Sequence, residues 1–179
     1  MSVKIFISHK KEDSKKAEEV AEYIKKKYNF GVYVDTLDEN INKKINITDR
    51  IVDKLRNSTH ILVVFSEHTK GSMWVPFELG VSYERNQGIG VLIWPDKVNI
   101  SYDLPEYLED FPILKCNKNF DNAKCSSSDL NKYLDEVKKY PQIDLENLSE
   151  GLQNFTKETG YRNSTNYART FIDNLKNKL

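Results

Sequence analysis

Short apolar runs alternate with segments of helical periodicity along most of this chain. The runs are rich in β-branched and aromatic residues and carry few charges, as expected for strands that are buried on both faces. They cover residues 3–8, 30–35, 59–66, 89–94 and, more weakly, 112–116. After the first run, Ala17, Val20, Ala21 and Ile24 recur at helical spacing. Alternation of this kind predicts right-handed β–α–β units on a parallel sheet.

The number of strands and the chain length favour one α/β architecture. Five strands in 179 residues predict a flavodoxin-like parallel sheet of order 2-1-3-4-5, flanked by helices. Strands 1 and 3 are then neighbours whose helices lie on opposite faces, so the crevice at their carboxyl ends is the expected ligand site. We expect this domain to cover residues 1–140. Two amphipathic segments predict a C-terminal helical extension over 141–179 that packs on the domain or on another subunit.

Composition excludes several classes of function. Lys plus Arg and Asp plus Glu both number 27, so no charge bias favours nucleic acid or an anionic membrane. No apolar run approaches the roughly 18 residues of a membrane span, and the first strand leaves no room for a signal peptide, so a cytoplasmic protein is expected. Cys116 and Cys125 have neither disulfide-framework nor zinc spacing, and no metal site is expected.

Glu78 is the residue that most strongly suggests chemistry. It is the only charged side chain between residues 71 and 83, within a helix predicted over 72–86. Burying an unpaired carboxylate is costly, so a carboxylate in such surroundings is usually paired, protonated or functional. A salt bridge to a loop Lys or Arg, or a narrow exposed stripe shared with Ser82, would also explain it. Because the helix follows strand 3 and starts beside the predicted crevice, a functional role is favoured.

Other polar residues reach the same edge of the sheet. Ser8 and His9 end the first strand and Asp35 ends the second, although loop and turn roles are common for such residues. Asp13 or Ser14 is expected to cap the first helix. The sequence contains no glycine-rich dinucleotide or phosphate loop and no serine-hydrolase elbow, so ordinary dinucleotide binding, NTPase and serine-hydrolase chemistry are not supported.

Four segments, in this order, resemble those of bacterial TIR domains. Residues 6–13 resemble the opening box, in which a strand ends in Ser-His and an Asp follows near the helix start. Residues 31–35 and 57–66 resemble the second and third strands. Trp74 and Glu78 fit the Trp-x-x-x-Glu element of NAD-cleaving TIR domains, which is the most specific of these motifs.

The resemblance implies an activity and a set of site residues. TIR domains of this type hydrolyse or rearrange NAD and release nicotinamide, with the matching Glu, here Glu78, as the catalytic residue. NAD would be the substrate, and no cofactor is implied. The nicotinamide–ribose pocket would be lined by Ser8, His9 and Trp74, and the substrate-binding set would also include Lys10, Asp35 and Ser72.

The resemblance also implies partners. Standalone bacterial TIR proteins often serve antiviral signalling, as in the Thoeris system, where a separate effector reads an ADP-ribose-derived product. Self-association through TIR surfaces is expected, with the loop over 35–47 gating the site and contacting a neighbouring subunit. That loop lacks the Pro or Gly often found in the family.

Three alternatives stay open at the level of sequence. A non-catalytic TIR module would act by assembly alone. A nucleoside deoxyribosyltransferase-like enzyme would use a Glu near a ribose without NAD. A phosphoreceiver domain is disfavoured, because the first strand ends in Ser8-His9 where an acidic pair would be expected. The product could be linear, cyclic or conjugated ADP-ribose.

Overall fold

A parallel sheet of five strands forms the centre of the structure. The computed structural model of the chain describes residues 3–34, 47–94, 104–115, 128–139 and 176–177. The strand order is β2-β1-β3-β4-β5, and every pairing in the sheet is parallel. The strands are β1 (Lys4–Ser8), β2 (Gly31–Val34), β3 (His60–Phe65), β4 (Gly88–Ile93) and β5 (Ile113–Lys115). The predicted flavodoxin-like architecture is therefore confirmed.

Helices cover both faces of this sheet. They are α1 (Ser14–Tyr28), α2 (Ile47–Arg56), α3 (Trp74–Glu84), the single turn α4 (Glu106–Glu109) and α5 (Ser128–Lys139). Helices α2 and α3 contact each other, and α1 meets α5 where the Tyr23 hydroxyl donates to Asn131 Oδ1 at 2.5 Å. The crossovers that follow β1 and β3 lead to opposite faces of the sheet, so α1 and α3 lie on different faces. The two chain segments therefore diverge where β1 and β3 end.

The start of α1 differs from expectation. Asp13 immediately precedes the helix, but its side chain makes no capping hydrogen bond. Ser14 is already the first helical residue, and its hydroxyl donates to the Lys11 carbonyl at 2.7 Å. Asp13 therefore occupies the predicted N-cap position without capping the helix through its side chain, because its carboxylate is bound by a residue that follows another strand, described below.

Several predicted features lie outside the described residues. They are Asp35, most of the 35–47 loop, Cys116, Cys125 and nearly all of the 141–179 extension. The extension and the domain boundary at 140 stay predictions.

A buried histidine lies at the amino-terminal end of β3. His60 is fully buried, and its Nδ1 lies 2.8 Å from Thr59 Oγ1. Burial lowers the pKa of this imidazole to about 3 from its ordinary value of 6.5, because desolvation disfavours the charged ring. His60 is therefore neutral in the folded protein at neutral pH.

Gly90 allows α5 to approach the sheet closely. A Cβ atom at this position of β4 would lie 2.7 Å from the Tyr133 ring. Tyr133 is fully buried, and its hydroxyl donates to the Ile61 carbonyl at 3.2 Å. Because the ring is held at both ends, it cannot easily move away from an added methyl group.

We predict that Gly90→Ala lowers the free energy of unfolding by about 1–3 kcal/mol, the usual cost of overpacking a well-packed core. Gly80→Ala is the matched control, because a Cβ there meets nothing within 4 Å. The control should be neutral or stabilising by up to about 1 kcal/mol, since alanine favours helix. Urea unfolding of both variants measures the difference, and equal effects would contradict the packing described.

We also predict that His60 makes the free energy of unfolding depend on pH. The unfolded chain protonates this imidazole near pH 6.5, whereas the folded protein does so only near pH 3. Stability is therefore lost as the pH falls through this window, with a slope of up to about 1.4 kcal/mol per pH unit. The variant His60→Asn cannot titrate and should show a shallower decline between pH 6.5 and 4. Parallel curves for wild type and variant would be incompatible with a neutral buried His60.

Candidate active site

Glu78 lies on the buried side of α3. Its side chain is only 4% exposed, although Phe77 and Gly80 on the same helix face solvent. Ser82, one turn later, is fully buried. An exposed stripe shared by Glu78 and Ser82 is therefore excluded as the reason for this carboxylate.

The partner of Glu78 comes from the end of β1. The Ser8 hydroxyl donates to Glu78 Oε2 at 2.5 Å, and Ser8 is itself 1% exposed. Both groups are buried, and a hydrogen bond in a region of low dielectric constant is electrostatically stronger than one in water. The contact joins two residues 70 positions apart in the chain. It fixes the carboxylate at the carboxyl-terminal edge of the sheet, in the predicted crevice.

A second serine–carboxylate pair lies beside the first. The Ser66 hydroxyl, immediately after β3, donates to Asp13 Oδ2 at 2.6 Å. Both residues are fully buried. The other oxygen of Asp13 lies 3.0 Å from the Lys16 ammonium group, which in turn lies 5.7 Å from the Trp94 ring centroid.

The two pairs are reciprocal. Ser8 ends β1 and binds a carboxylate on the helix that follows β3, whereas Ser66 follows β3 and binds a carboxylate at the start of the helix that follows β1. Together they connect the segment that runs from β1 into α1 with the segment that runs from β3 into α3, at the point where the two diverge. The crevice floor is thus held by buried hydrogen bonds between groups that would be costly to leave unpaired.

The remaining predicted residues take different positions. Trp74 is the first residue of α3, is 37% exposed, and packs edge-on against Phe77 with ring centroids 5.8 Å apart. Ser72 is nearly buried, and its hydroxyl accepts from the Val75 amide at 3.4 Å, so it helps to start the helix. Trp74 is therefore the more accessible of the two residues.

His9 and Lys10 continue from Ser8 and are partly buried. His9 Nδ1 lies 3.4 Å from the Ile7 carbonyl oxygen, and the Lys10 carbonyl accepts from the Asp13 amide at 2.8 Å. Asp35 lies outside the described residues. Among the predicted site residues, Ser8 donates a hydrogen bond directly to Glu78.

The sequence reasoning missed the role of Asp13, Lys16 and Ser66. An aspartate just before a helix has an ordinary explanation as a cap. The pattern that could have indicated a different role for Asp13 was the serine directly after β3, Ser66. The carboxyl ends of adjacent parallel strands lie close together, so residues that follow them can meet. The register confirms this proximity, because Ser8 pairs with Val63.

The described part of the chain shows neither a metal-binding cluster nor a membrane-spanning helix. Within it, no group of three or more His, Cys, Asp or Glu side chains could hold a metal ion. Across the same residues, no helix combines the length and the apolar character needed to cross a membrane.

The sheet order and the buried carboxylate at its switch point define a flavodoxin-like α/β domain with a candidate site between β1 and β3. The family follows from the sequence. A family profile described as TIR domain matches residues 5–127, and the chain belongs to this family.

Comparison with solved structures finds TIR-containing proteins. The TIR domains of the activated Roq1 resistosome directly recognizing the pathogen effector XopQ align over 98% of this chain and 84% of theirs, at 17% identity and a TM-score of 0.44. A metazoan TIR-STING receptor from C. gigas in complex with 2',3'-cGAMP aligns over 88% of this chain and 52% of its own, at 16% identity and a TM-score of 0.48. No match was found among the curated proteins.

We predict that Ser66→Ala lowers the free energy of unfolding by about 1–3 kcal/mol, because it leaves the buried Asp13 without its hydroxyl donor. The matched control is Ser14→Ala, which removes an exposed hydroxyl bond and should cost less than about 1 kcal/mol. Chemical denaturation measures both.

Because Ser66 Oγ also accepts from the His68 amide at 3.1 Å, a double-mutant cycle with Asp13→Ala isolates the pairwise contribution. Strict additivity in that cycle would show that the Asp13–Ser66 contact does not stabilise the fold.

Proposed function

We propose that this protein cleaves the nicotinamide–ribose bond of NAD, with Glu78 as the catalytic carboxylate. The observation that carries the proposal is the buried Glu78 held by Ser8 at the switch-point crevice. Its support is threefold: the family of the chain, the Trp74-x-x-x-Glu78 spacing and the position of that carboxylate. NAD is the substrate in this proposal, and no cofactor takes part.

The reaction suits a site with a single carboxylate. The bond between ribose C1′ and the pyridinium nitrogen breaks, and its electron pair leaves with the nitrogen. Nicotinamide therefore departs as a neutral molecule without needing a proton from a general acid. The ribose is left with oxocarbenium character, which a nearby carboxylate stabilises. Water or another nucleophile then attacks C1′ and, in the case of water, releases one proton.

The surroundings of Glu78 favour such stabilisation. A charge that is 4% exposed acts through a lower dielectric constant than a surface charge. Its attraction for a developing positive charge is correspondingly stronger, and Ser8 fixes its orientation before substrate arrives. In the same proposal, Trp74 contributes an accessible aromatic surface beside the ribose, and His9, Lys10, Asp35 and Ser72 complete the substrate-binding set.

The biological role is a further part of the proposal. A bacterial origin and a Thoeris-type antiviral role would make the ADP-ribose-derived product a signal that a separate effector protein reads. The enzyme would work in the cytoplasm and self-associate, without binding nucleic acid or membrane. The equal numbers of acidic and basic residues support the absence of a nucleic-acid partner.

We predict that Glu78→Gln reduces nicotinamide release from NAD by at least about 100-fold, the usual effect of removing a group that stabilises transition-state charge. Glutamine keeps the shape of the side chain and can still accept the Ser8 hydrogen bond, so the variant should remain folded. Ser8→Ala should lose less, on the order of tenfold, because it removes the orienting bond but keeps the carboxylate. Chromatographic quantification of free nicotinamide measures the activity of the wild type and of both variants.

The matched control is Glu22→Gln, which changes an exposed carboxylate on α1 whose ion pair is with Lys26 of the same helix. It should retain wild-type activity. If Glu78→Gln keeps substantial activity while folded, the proposed role of Glu78 is wrong. If the wild-type protein releases no nicotinamide at high concentration, the non-catalytic assembly module is favoured instead. Turnover of deoxynucleosides without NAD would favour the deoxyribosyltransferase-like alternative.

A further inference from the structure

Buried residues recur at every third position in the connection from β3 to α3. Ser66, Thr69, Ser72 and Val75 are each at most 7% exposed, whereas all the residues between them are exposed. The connection therefore presents one side to the protein interior. Three of the four residues on that side are polar, so their hydrogen bonds determine how the connection is held.

Hydrogen bonds link these four residues in sequence. The Ser66 amide donates to Thr69 Oγ1 at 3.0 Å, and the Thr69 amide donates back to the Ser66 carbonyl at 3.1 Å. The Ser72 amide donates to the Thr69 carbonyl at 3.0 Å. The Val75 amide, in the first turn of α3, donates to Ser72 Oγ at 3.4 Å. A continuous series of buried hydrogen bonds thus joins the end of β3 to the helix turn that precedes Glu78.

Both ends of this series are attached to the connection between β1 and α1. Ser8 ends β1 and Asp13 directly precedes α1, so both belong to that connection. At one end, the Ser66 hydroxyl donates to Asp13, and at the other, the Ser8 hydroxyl donates to Glu78. All four side chains are at most 4% exposed. The two connections and the two serine–carboxylate bonds therefore form a closed ring.

We propose that Asp13 is a positioning residue for Glu78. By holding Ser66, its carboxylate fixes the connection over 66–75 and the start of α3, so that Glu78 meets Ser8 in the orientation that catalysis needs. Displacing a catalytic group by a fraction of its own size is enough to slow a reaction strongly. Asp13 is fully buried, so it acts through α3 and not on the substrate. Its effect on turnover rests on the proposed NAD cleavage, whereas its effect on α3 does not.

The Asp13 carboxylate is held from its other side as well. Its second oxygen lies 3.0 Å from the Lys16 ammonium group, which lies 5.7 Å from the ring centroid of Trp94, directly after β4. An asparagine at position 13 could keep the bond from Ser66 but would lose the ion pair with Lys16. The two contacts of Asp13 can therefore be separated by mutation.

Steady-state kinetics of nicotinamide release test the effect on turnover. Asp13→Ala should lower kcat at least about tenfold and change KM less than about threefold, because the orientation of Glu78 changes but the surface that meets the substrate does not. Asp13→Asn should keep at least about half of the wild-type kcat, because its amide oxygen still accepts from Ser66. Gly90→Ala is the control for lost stability, since it disturbs the packing of β4 on α5 and should keep the wild-type kcat while folded.

Amide hydrogen exchange tests the effect on α3 without any substrate. In Asp13→Ala, the Ser72 and Val75 amides should exchange at least about tenfold faster than in wild type, because the start of α3 opens more readily. Asp13→Asn and Gly90→Ala should not show this local increase. Should Asp13→Ala fail to fold, Ser66→Ala breaks the same bond from its other side and should show the same changes.

Three results would overturn the role of Asp13. They are unchanged exchange of the Ser72 and Val75 amides, an Asp13→Asn variant as impaired as Asp13→Ala, and an equal loss of kcat in Gly90→Ala. The second would assign the effect to the lost charge and the third to stability alone. A wild-type protein that releases no nicotinamide would contradict the proposed function, and the exchange measurement would still decide whether Asp13 holds α3.

Discussion

The hydrogen bond from Ser8 to Glu78 connects the end of β1 to the middle of α3, and the geometry of the candidate site depends on it. In a parallel sheet, the helices that follow two neighbouring strands diverge to opposite faces at a switch point. That divergence opens the crevice, but it also leaves the crevice walls with no regular hydrogen bonding between them. The Ser8–Glu78 contact and its reciprocal, Ser66–Asp13, supply bonds at this point.

This arrangement links stability to function through burial. A carboxylate that is nearly inaccessible to water would destabilise the fold if it had no partner. The same low exposure strengthens its interaction with a positive charge that develops on a substrate. The serine that satisfies Glu78 in the folded protein therefore also prepares it for the proposed reaction. Asp13, paired with Ser66 and Lys16, has the same kind of surroundings but sits at the start of α1 and braces the crevice from its other side.

The fold was predictable because hydrophobic periodicity reports burial directly. The apolar runs became β1 to β5 in the expected order, with boundaries displaced by one residue at most, which is within the usual uncertainty of strand ends. Glu78 was identifiable because one charge in an apolar helix has few explanations. Its partner was not, since Ser8 lies 70 residues away and only the strand pairing brings the two together. Asp13 holds the N-cap position that its local sequence predicts, but its carboxylate binds Ser66, which is 53 residues away, and not the helix amides.

The most direct test of the account is the reaction itself, followed by proton NMR on the full chain at high concentration, with NAD as the only added nucleotide. The account predicts that the resonances of free nicotinamide grow in step with the loss of NAD, while a new ribose anomeric resonance reports the product. Unchanged NAD, both in plain buffer and with a crowding agent that promotes assembly, would contradict the central claim that Glu78 is a catalytic carboxylate.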